Sequence, residues 1–418
     1  MTSFVLCAGT YTHKLFGYEV LVEADMSVSH LTIFGAEPHT ASVRVVAFSE
    51  TGKHMVSGAA DDSVQLFDMV KMRERGSLLE HSGAVDDLAF FGDGYMVTAS
   101  ADTTLCLWRT RDWARIKALR GHKAGVRRVA VHPSGRLAIS VDAAGGLKMW
   151  NLLTGRAQFS TRSMAEPRAL AWAPSGLAYL VADRAALRVV SAEDGAEIGS
   201  YDTPPRAALS DAVWLNDTYI AVALDSGLVT IYDVAAGEPI HELEAPTTAR
   251  VRSLAVFRPP HAAAHDFDGL VAFLASASSD GTMAIWAIGT PDDNFAAAHI
   301  GTIDSGARLT TVAVGPVSAT RAKPEVEVEA EAEAVAITED IDHDDVVFDE
   351  EDDEEPAQKK AKTTGGKGKA KAKAKAKGKA KGKAKAPAEV EVVAKAKTKG
   401  KGKTKSKKAK AGSKRRRE

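Results

Sequence analysis

From Phe67 onward a large side chain returns along the chain at a near-constant interval: Phe67, Trp108, Trp150, Val190, Tyr232 and Trp286. The step is about 41 residues until a longer last interval, a period at which a chain stacks one supersecondary unit on the next instead of building an irregular globule. Each step also has a front end. His39 precedes Phe67, His81-Ser82-Gly83 precedes Trp108, and Gly121-His122 precedes Trp150.

Inside a step the residues alternate. Val126-Arg127-Arg128-Val129-Ala130-Val131 leads to a turn at His132-Pro133-Ser134-Gly135, then to Leu137-Ala138-Ile139-Ser140 and Leu147-Lys148-Met149-Trp150. Period-two patterning broken by turn residues predicts an antiparallel strand meander. The same grammar recurs at Val45-Val46-Ala47-Phe48 and at Ala169-Leu170-Ala171-Trp172. Strand pairs are left over at both ends: Val5 to Ala8 with Phe16 to Val20, and His299 to Ile303 with Leu309 to Val314. Combined, these pairs predict a seventh sheet that closes the ring and removes the unpaired edges of an open array. The expected architecture is all-β, a seven-bladed propeller over residues 1–320, with Arg258 to Gly269 as a surface loop lengthening the last step.

The histidine start and aromatic finish resemble the WD40 repeat, whose blades carry a buried hydrogen-bonded set of His, Ser or Thr, Asp and Trp. That resemblance assigns His39, His81 and His122, the aspartates Asp61, Asp102 and Asp280, Ser100 and Ser278, and Trp108, Trp150 and Trp286 to the frame of the fold. Buried polar groups left unpaired cost a few kcal/mol each, so a complete set stiffens its blade. Ala144 stands where Trp150 would want its aspartate, and the unit ending Arg188-Val189-Val190-Ser191 lacks both His and Trp. Those two blades are expected to rest on apolar packing alone.

In a propeller the first position of each innermost strand points to the upper mouth of the central channel. Here that position holds Arg44, Asp86, Arg127, Arg168, Ser210, Arg252 and Thr310. Converging guanidinium forks suit a phosphate or an acidic peptide. The competing reading is that they pair with acids such as Asp86 and only solvate the mouth.

With Gly9-Thr10-Tyr11 and Leu15-Phe16-Gly17-Tyr18 at the start, His39-Thr40-Ala41-Ser42, Ser276 to Gly281, and Ala307-Arg308-Leu309-Thr310, the chain resembles the PAK-interacting WD-repeat proteins. This family includes the fungal maintenance-of-killer type. The resemblance covers roughly residues 4–316. It implies a nuclear and nucleolar scaffold in large ribosomal subunit biogenesis, a monomer within a larger complex of pre-ribosomal proteins and pre-rRNA. Binding and negative regulation of a PAK-type kinase are implied for animal members. A chromatin or histone adaptor and a cytoplasmic kinase-signalling adaptor are the alternatives.

The net charge of −1 hides a partition. Residues 325–355 carry 17 acids and no Lys or Arg, while residues 356–418 carry 26 Lys and Arg against 3 acids. Blocks so dense in one sign repel themselves and are expected to be disordered, an acidic linker over residues 321–355 and a basic tail beyond it. In the tail Lys367, Lys369, Lys371 and Lys373 alternate with Ala or Gly, and the end reads Lys414-Arg415-Arg416-Arg417. Such cations attach to RNA or DNA without sequence preference by releasing condensed counterions, or serve as an import signal. No aromatics are interleaved for base stacking. The acidic linker could mask the lysines, hold basic proteins or act as a solvated spacer.

No enzyme is expected. His/Ser/Asp triples recur from unit to unit, whereas an active site is built once from convergent groups. The glycines at Gly145-Gly146 and Gly365-Gly366 lack the lysine and helix of a phosphate loop. Cys7 and Cys106 provide neither a disulfide framework nor metal-ligand spacing, so neither cofactor nor metal is expected. No apolar stretch is long enough for a bilayer helix and no basic leader opens the chain, which argues against membrane insertion and secretion.

Overall fold

The computed structural model describes residues 2–318 apart from 245, 247, 248, 260–268 and 291–294. These residues form twenty-eight strands, numbered β1 to β28 in chain order, in seven four-stranded antiparallel sheets. Blades 1 to 6 run outward from innermost strands β4 (Val43–Phe48), β8 (Val85–Phe91), β12 (Val126–Val131), β16 (Ala169–Trp172), β20 (Leu209–Trp214) and β24 (Val251–Phe257). The seventh blade is ordered β28 (Leu309–Pro316), β1 (Thr2–Thr10), β2 (Leu15–Val22), β3 (Val28–Ala36). Successive innermost strands touch in one closed cycle, β28 to β4, β8, β12, β16, β20, β24 and back to β28. The fold is a sealed seven-bladed propeller.

Closure differs in one respect from the sequence expectation. The shared blade takes three strands from the start of the chain and one from its end. His299 to Ile303 lies in β27 (Ala296–Asp304), the outer strand of blade 6, and β3 occupies the outer position of blade 7. β3 alternates only weakly and is mostly exposed, so its sequence carries little of the patterning that marks the inner strands. β28 pairs with β1 from Pro316 on Phe4 to Leu309 on Thr10, and Thr310 Oγ1 donates to the carbonyls of Gly9 at 3.0 Å and Val43 at 2.7 Å.

Apolar residues gather in seven clusters, one in each gap between neighbouring blades. Period-two strands explain this: each sheet turns one face to the blade before it and the other to the blade after it, so both faces are apolar near the axis. The outer strands, by contrast, are exposed, β15 (Arg156–Arg162) along its whole length. Cys7 and Cys106 are buried free thiols, and burial pushes Cys106 up to about 11 and Cys7 above its usual range, so both stay protonated and unreactive. Among the described residues no helix is long and apolar enough to cross a membrane.

Candidate functional site: the arginine-lined mouth

The frame beneath the mouth is held by hydrogen-bonded chains inside blades. In blade 2, Trp108 Nε1 donates to Thr98 Oγ1 at 3.0 Å, Thr98 meets His81 Nε2 at 2.8 Å, and His81 Nδ1 lies 2.9 Å from Asp102. The hydroxyl in this chain is Thr98. Ser100, assigned to the set from sequence, instead donates to the Gly83 carbonyl at 2.6 Å and accepts from the Asp102 amide. In blade 1, His39 lies 2.7 Å from Ser57 and 3.3 Å from Asp61, with Phe67 in place of tryptophan. Burial works against the charge of Asp61, yet bonds from Ser63, Thr40 and His39 hold its carboxyl down at about 2.

Blade 3 corrects the expectation of apolar packing alone. Trp150 Nε1 donates to Ser140 at 2.8 Å, Ser140 lies 2.7 Å from His122 Nε2, and His122 Nδ1 lies 3.0 Å from Asp142. The aspartate comes from the end of β13 (Leu137–Asp142), ahead of the turn where Asp102 sits in blade 2, so counting back from the tryptophan misses it. Gly146 makes the room, because a Cβ there would stand 2.7 Å from Asp142 Oδ2. In blade 6, Asp280 accepts from Thr282, Ser278 is buried in β25 (Leu270–Ser278), and Trp286 meets His299 edge-on at 6.0 Å. Burial lowers the proton affinity of His39 and His122, so each is a neutral imidazole bonded at both nitrogens. Ser140, His122 and Asp142 have the connectivity of a catalytic triad, but Ser140 is 0% exposed and its oxygen already accepts from Trp150. No substrate can reach it.

Above this frame, Arg44, Asp86, Arg127, Arg168, Ser210, Arg252 and Thr310 all line one cavity of about 480 Å³. A backbone device brings them there. In β4, β8, β12, β20 and β24 the register skips one residue at the strand start, and the skipped residue is Arg44, Asp86, Arg127, Ser210 or Arg252. Thr310 is skipped in the same way in β28, and the Arg168 amide shares the Ala182 carbonyl region with its neighbour Ala169. A β-bulge re-aims the side chain it carries, here out of the sheet and toward the axis.

The four arginines expected at this ring fall into two classes. Asp86 is only 5% exposed; Arg127 Nη1 lies 2.8 Å from it and Arg44 Nη1 4.0 Å. Arg127 thus forms a close ion pair with Asp86, and Arg44 stands at the outer limit of one with the same carboxylate. Among the described residues Arg168 and Arg252 have no carboxylate partner, and the cavity also takes Arg128, Arg184 and Arg250, which the ring position alone does not reveal. Arg250 precedes the bulge by two residues and Arg184 sits across the sheet beyond β17 (Ala178–Ala182), so only the fold brings them together. Arg128 donates to the carbonyls of Arg168 at 2.6 Å and Asp86 at 3.4 Å. Beside it, burial pushes Asp87 up to about 6 and raises Asp211; each carboxylate also accepts from the next inner strand, at Val129 and Leu254. Among the described residues no His, Cys, Asp and Glu group could hold a metal ion.

The tail residues Lys367, Lys369, Lys371, Lys373, Lys414, Arg415, Arg416 and Arg417, the acidic linker, and residues 260–268 of the insertion lie outside the described residues.

The WD domain, G-beta repeat family matches residues 30–68, 72–109, 113–151 and 237–287. The first three windows each cover the outer strand of one blade and three strands of the next, so the repeat is offset from the sheet by one strand. Closure is three strands plus one because β1 and β2 precede the first matched window and only β28 follows blade 6. The chain is 34% identical over 254 residues to the p21-activated protein kinase-interacting protein 1-like of Xenopus laevis, covering 61% of this chain and 68% of that one. It is 28% identical to the p21-activated protein kinase-interacting protein 1 of Homo sapiens, over 54% of this chain and 58% of that one, and 28% identical to Protein MAK11 of Saccharomyces cerevisiae, over 37% and 42%. With its sealed ring of WD blades and these relatives, the chain belongs to the PAK-interacting WD-repeat family.

Proposed function

We propose that this WD-repeat scaffold serves large ribosomal subunit assembly in the nucleus and nucleolus, holding an acidic segment of a partner protein at the mouth and pre-rRNA at the basic tail. The observation that carries the mouth reading is the wall of arginines, Arg168 and Arg252 among them, that have no carboxylate partner among the described residues. The assembly role rests on the family resemblance, and the tail reading on sequence-independent phosphate attraction. Repeated His and Asp pairs buried in the blades, with no open nucleophile among the described residues, favour a non-catalytic role.

Sedimentation of tagged protein is the decisive test. Co-migration with precursors of the large subunit is expected, whereas retention on chromatin or recovery only in soluble kinase complexes would sink the assembly reading. Deleting residues 359–417 is expected to weaken rRNA association and nucleolar enrichment. The kinase-interacting names of the vertebrate relatives, and that of Shk1 kinase-binding protein 15 of Schizosaccharomyces pombe, favour a second reading in which a PAK-type kinase is bound and restrained. Pull-down of a PAK-type kinase domain with the full chain tests it.

A further inference from the structure

One wall of the mouth gathers like charges. Arg252 lies among Arg250, Arg308 and Arg168, its Nε is buried without a hydrogen-bond partner, and burial together with these neighbours lowers its proton affinity. Arg184 lines the same cavity, and Arg308 lies over the Tyr11 ring, 5.3 Å from its centroid. Three acids face the cavity. Asp86 is taken by Arg127, Asp225 accepts from the Ala208 amide at 2.8 Å, and Glu166 is exposed, with no ion pair among the described residues. Among the described residues no ion pair joins a carboxylate to Arg168, Arg250 or Arg252, and seven arginines line the cavity against these three acids, so the wall keeps an excess of positive charge.

The anion's chemistry follows from charge density and shape. A carboxylate brings one charge and two oxygens. A phosphomonoester brings a charge of about −1.5 to −2 and three acceptor oxygens, which guanidinium forks engage in pairs. A concave cavity of about 480 Å³ accepts a compact group on a side chain, while a nucleic-acid backbone needs an open groove. We propose that Arg168, Arg250 and Arg252 form a receptor for the phosphoryl group of a phosphorylated serine or threonine in a partner polypeptide. This rests on the mouth being the partner-binding site and specifies what it reads there.

The test uses the full chain and one acidic peptide in three forms, carrying phosphoserine, serine or aspartate at a single position, followed by fluorescence anisotropy. The basic tail attracts all three, so the readout is the ratio between them. The phosphorylated form is expected to bind about tenfold or more tightly than the serine form. Joint substitution R250Q with R252Q is expected to collapse that ratio toward one while the tail-driven binding of the serine form persists; Arg156→Gln on β15 serves as a charge control and leaves the ratio unchanged. If the double variant does not fold by circular dichroism, Arg252→Gln alone is compared in its place. Equal binding of the phosphorylated and serine forms, both lost in the variant, overturns the phosphoryl assignment and leaves the mouth as an acidic-peptide site. Binding of all three that ignores the variant sinks the mouth reading too. myo-Inositol hexakisphosphate and inorganic phosphate are run as competitors; arginine-dependent binding of the former with no preference among the peptides identifies a free polyphosphate and also overturns the proposal.

Discussion

Ser140 shows how much one hydroxyl carries. It accepts from Trp150 and meets His122 on its other side, both buried. Ser140→Ala strands two polar groups, and a loss of about 2–4 kcal/mol in denaturant unfolding is expected. Gly146→Ala attacks the same chain from the other end by crowding Asp142, with an expected loss of about 1–3 kcal/mol. The histidines also set a pH response. His39 and His122 have folded proton affinities below the ordinary value near 6.5, so the unfolded chain takes up protons first as pH falls. Their contribution is complete above about pH 6.5 and declines below it until their depressed folded values are reached. Asp61, held at about 2, adds a second decline as pH drops below about 3.8. Urea midpoints measured from pH 8 to pH 3 check both; a midpoint that rises between pH 6.5 and pH 5 contradicts the histidine account.

At the scale of elements, closure and bulges decide the outcome. The turn between β4 and β5 (His54–Ala59) holds Gly52 at a φ of +70°, and a Cβ there would lie 2.1 Å from the carbonyl oxygen of Pro316 on β28. Alanine at this position carries about 1 kcal/mol of backbone strain and also displaces the closing strand, so Gly52→Ala is expected to cost more than that strain alone. A chain ending at residue 308 lacks β28, which leaves β1 an open edge and uncovers Leu309's cluster. Aggregation and loss of cooperative melting are expected for it, while a chain ending at residue 320 is expected to melt within a few degrees of the full protein.

At the scale of the molecule, the two arginine classes respond differently. Arg127→Gln leaves the nearly buried Asp86 with only a distant Arg44, and destabilisation of about 1–3 kcal/mol is expected. Arg252→Gln removes a partly buried charge and relieves like-charge crowding that solvent screens, so stability is expected to hold or rise slightly while partner recovery falls. Paired thermal melts of the two variants decide this, and a fall for both would show that Arg252 is a frame residue. Binding function and stability then pull apart at one position, as they do where a site is kept electrostatically unfinished.

The blade count, the strand meander, the ring of seven mouth positions and the His–Asp pairs of blades 1 and 2 were legible in the residue order, because each depends on period and short-range spacing, whereas the hydroxyl that completes blade 2 is Thr98 and not the Ser100 expected. Asp142 was not, since its role depends on the backbone path through Gly145 and Gly146 and not on its distance from Trp150. Nor was the split of the arginines, or the arrival of Arg250 and Arg308 beside Arg252 and of Arg184 in the same cavity. Residues far apart in the chain meet only when the ring closes, and the pairing of charges is set by distance in space. Local order determined which units form, and packing around the axis decided which charges remain unmet.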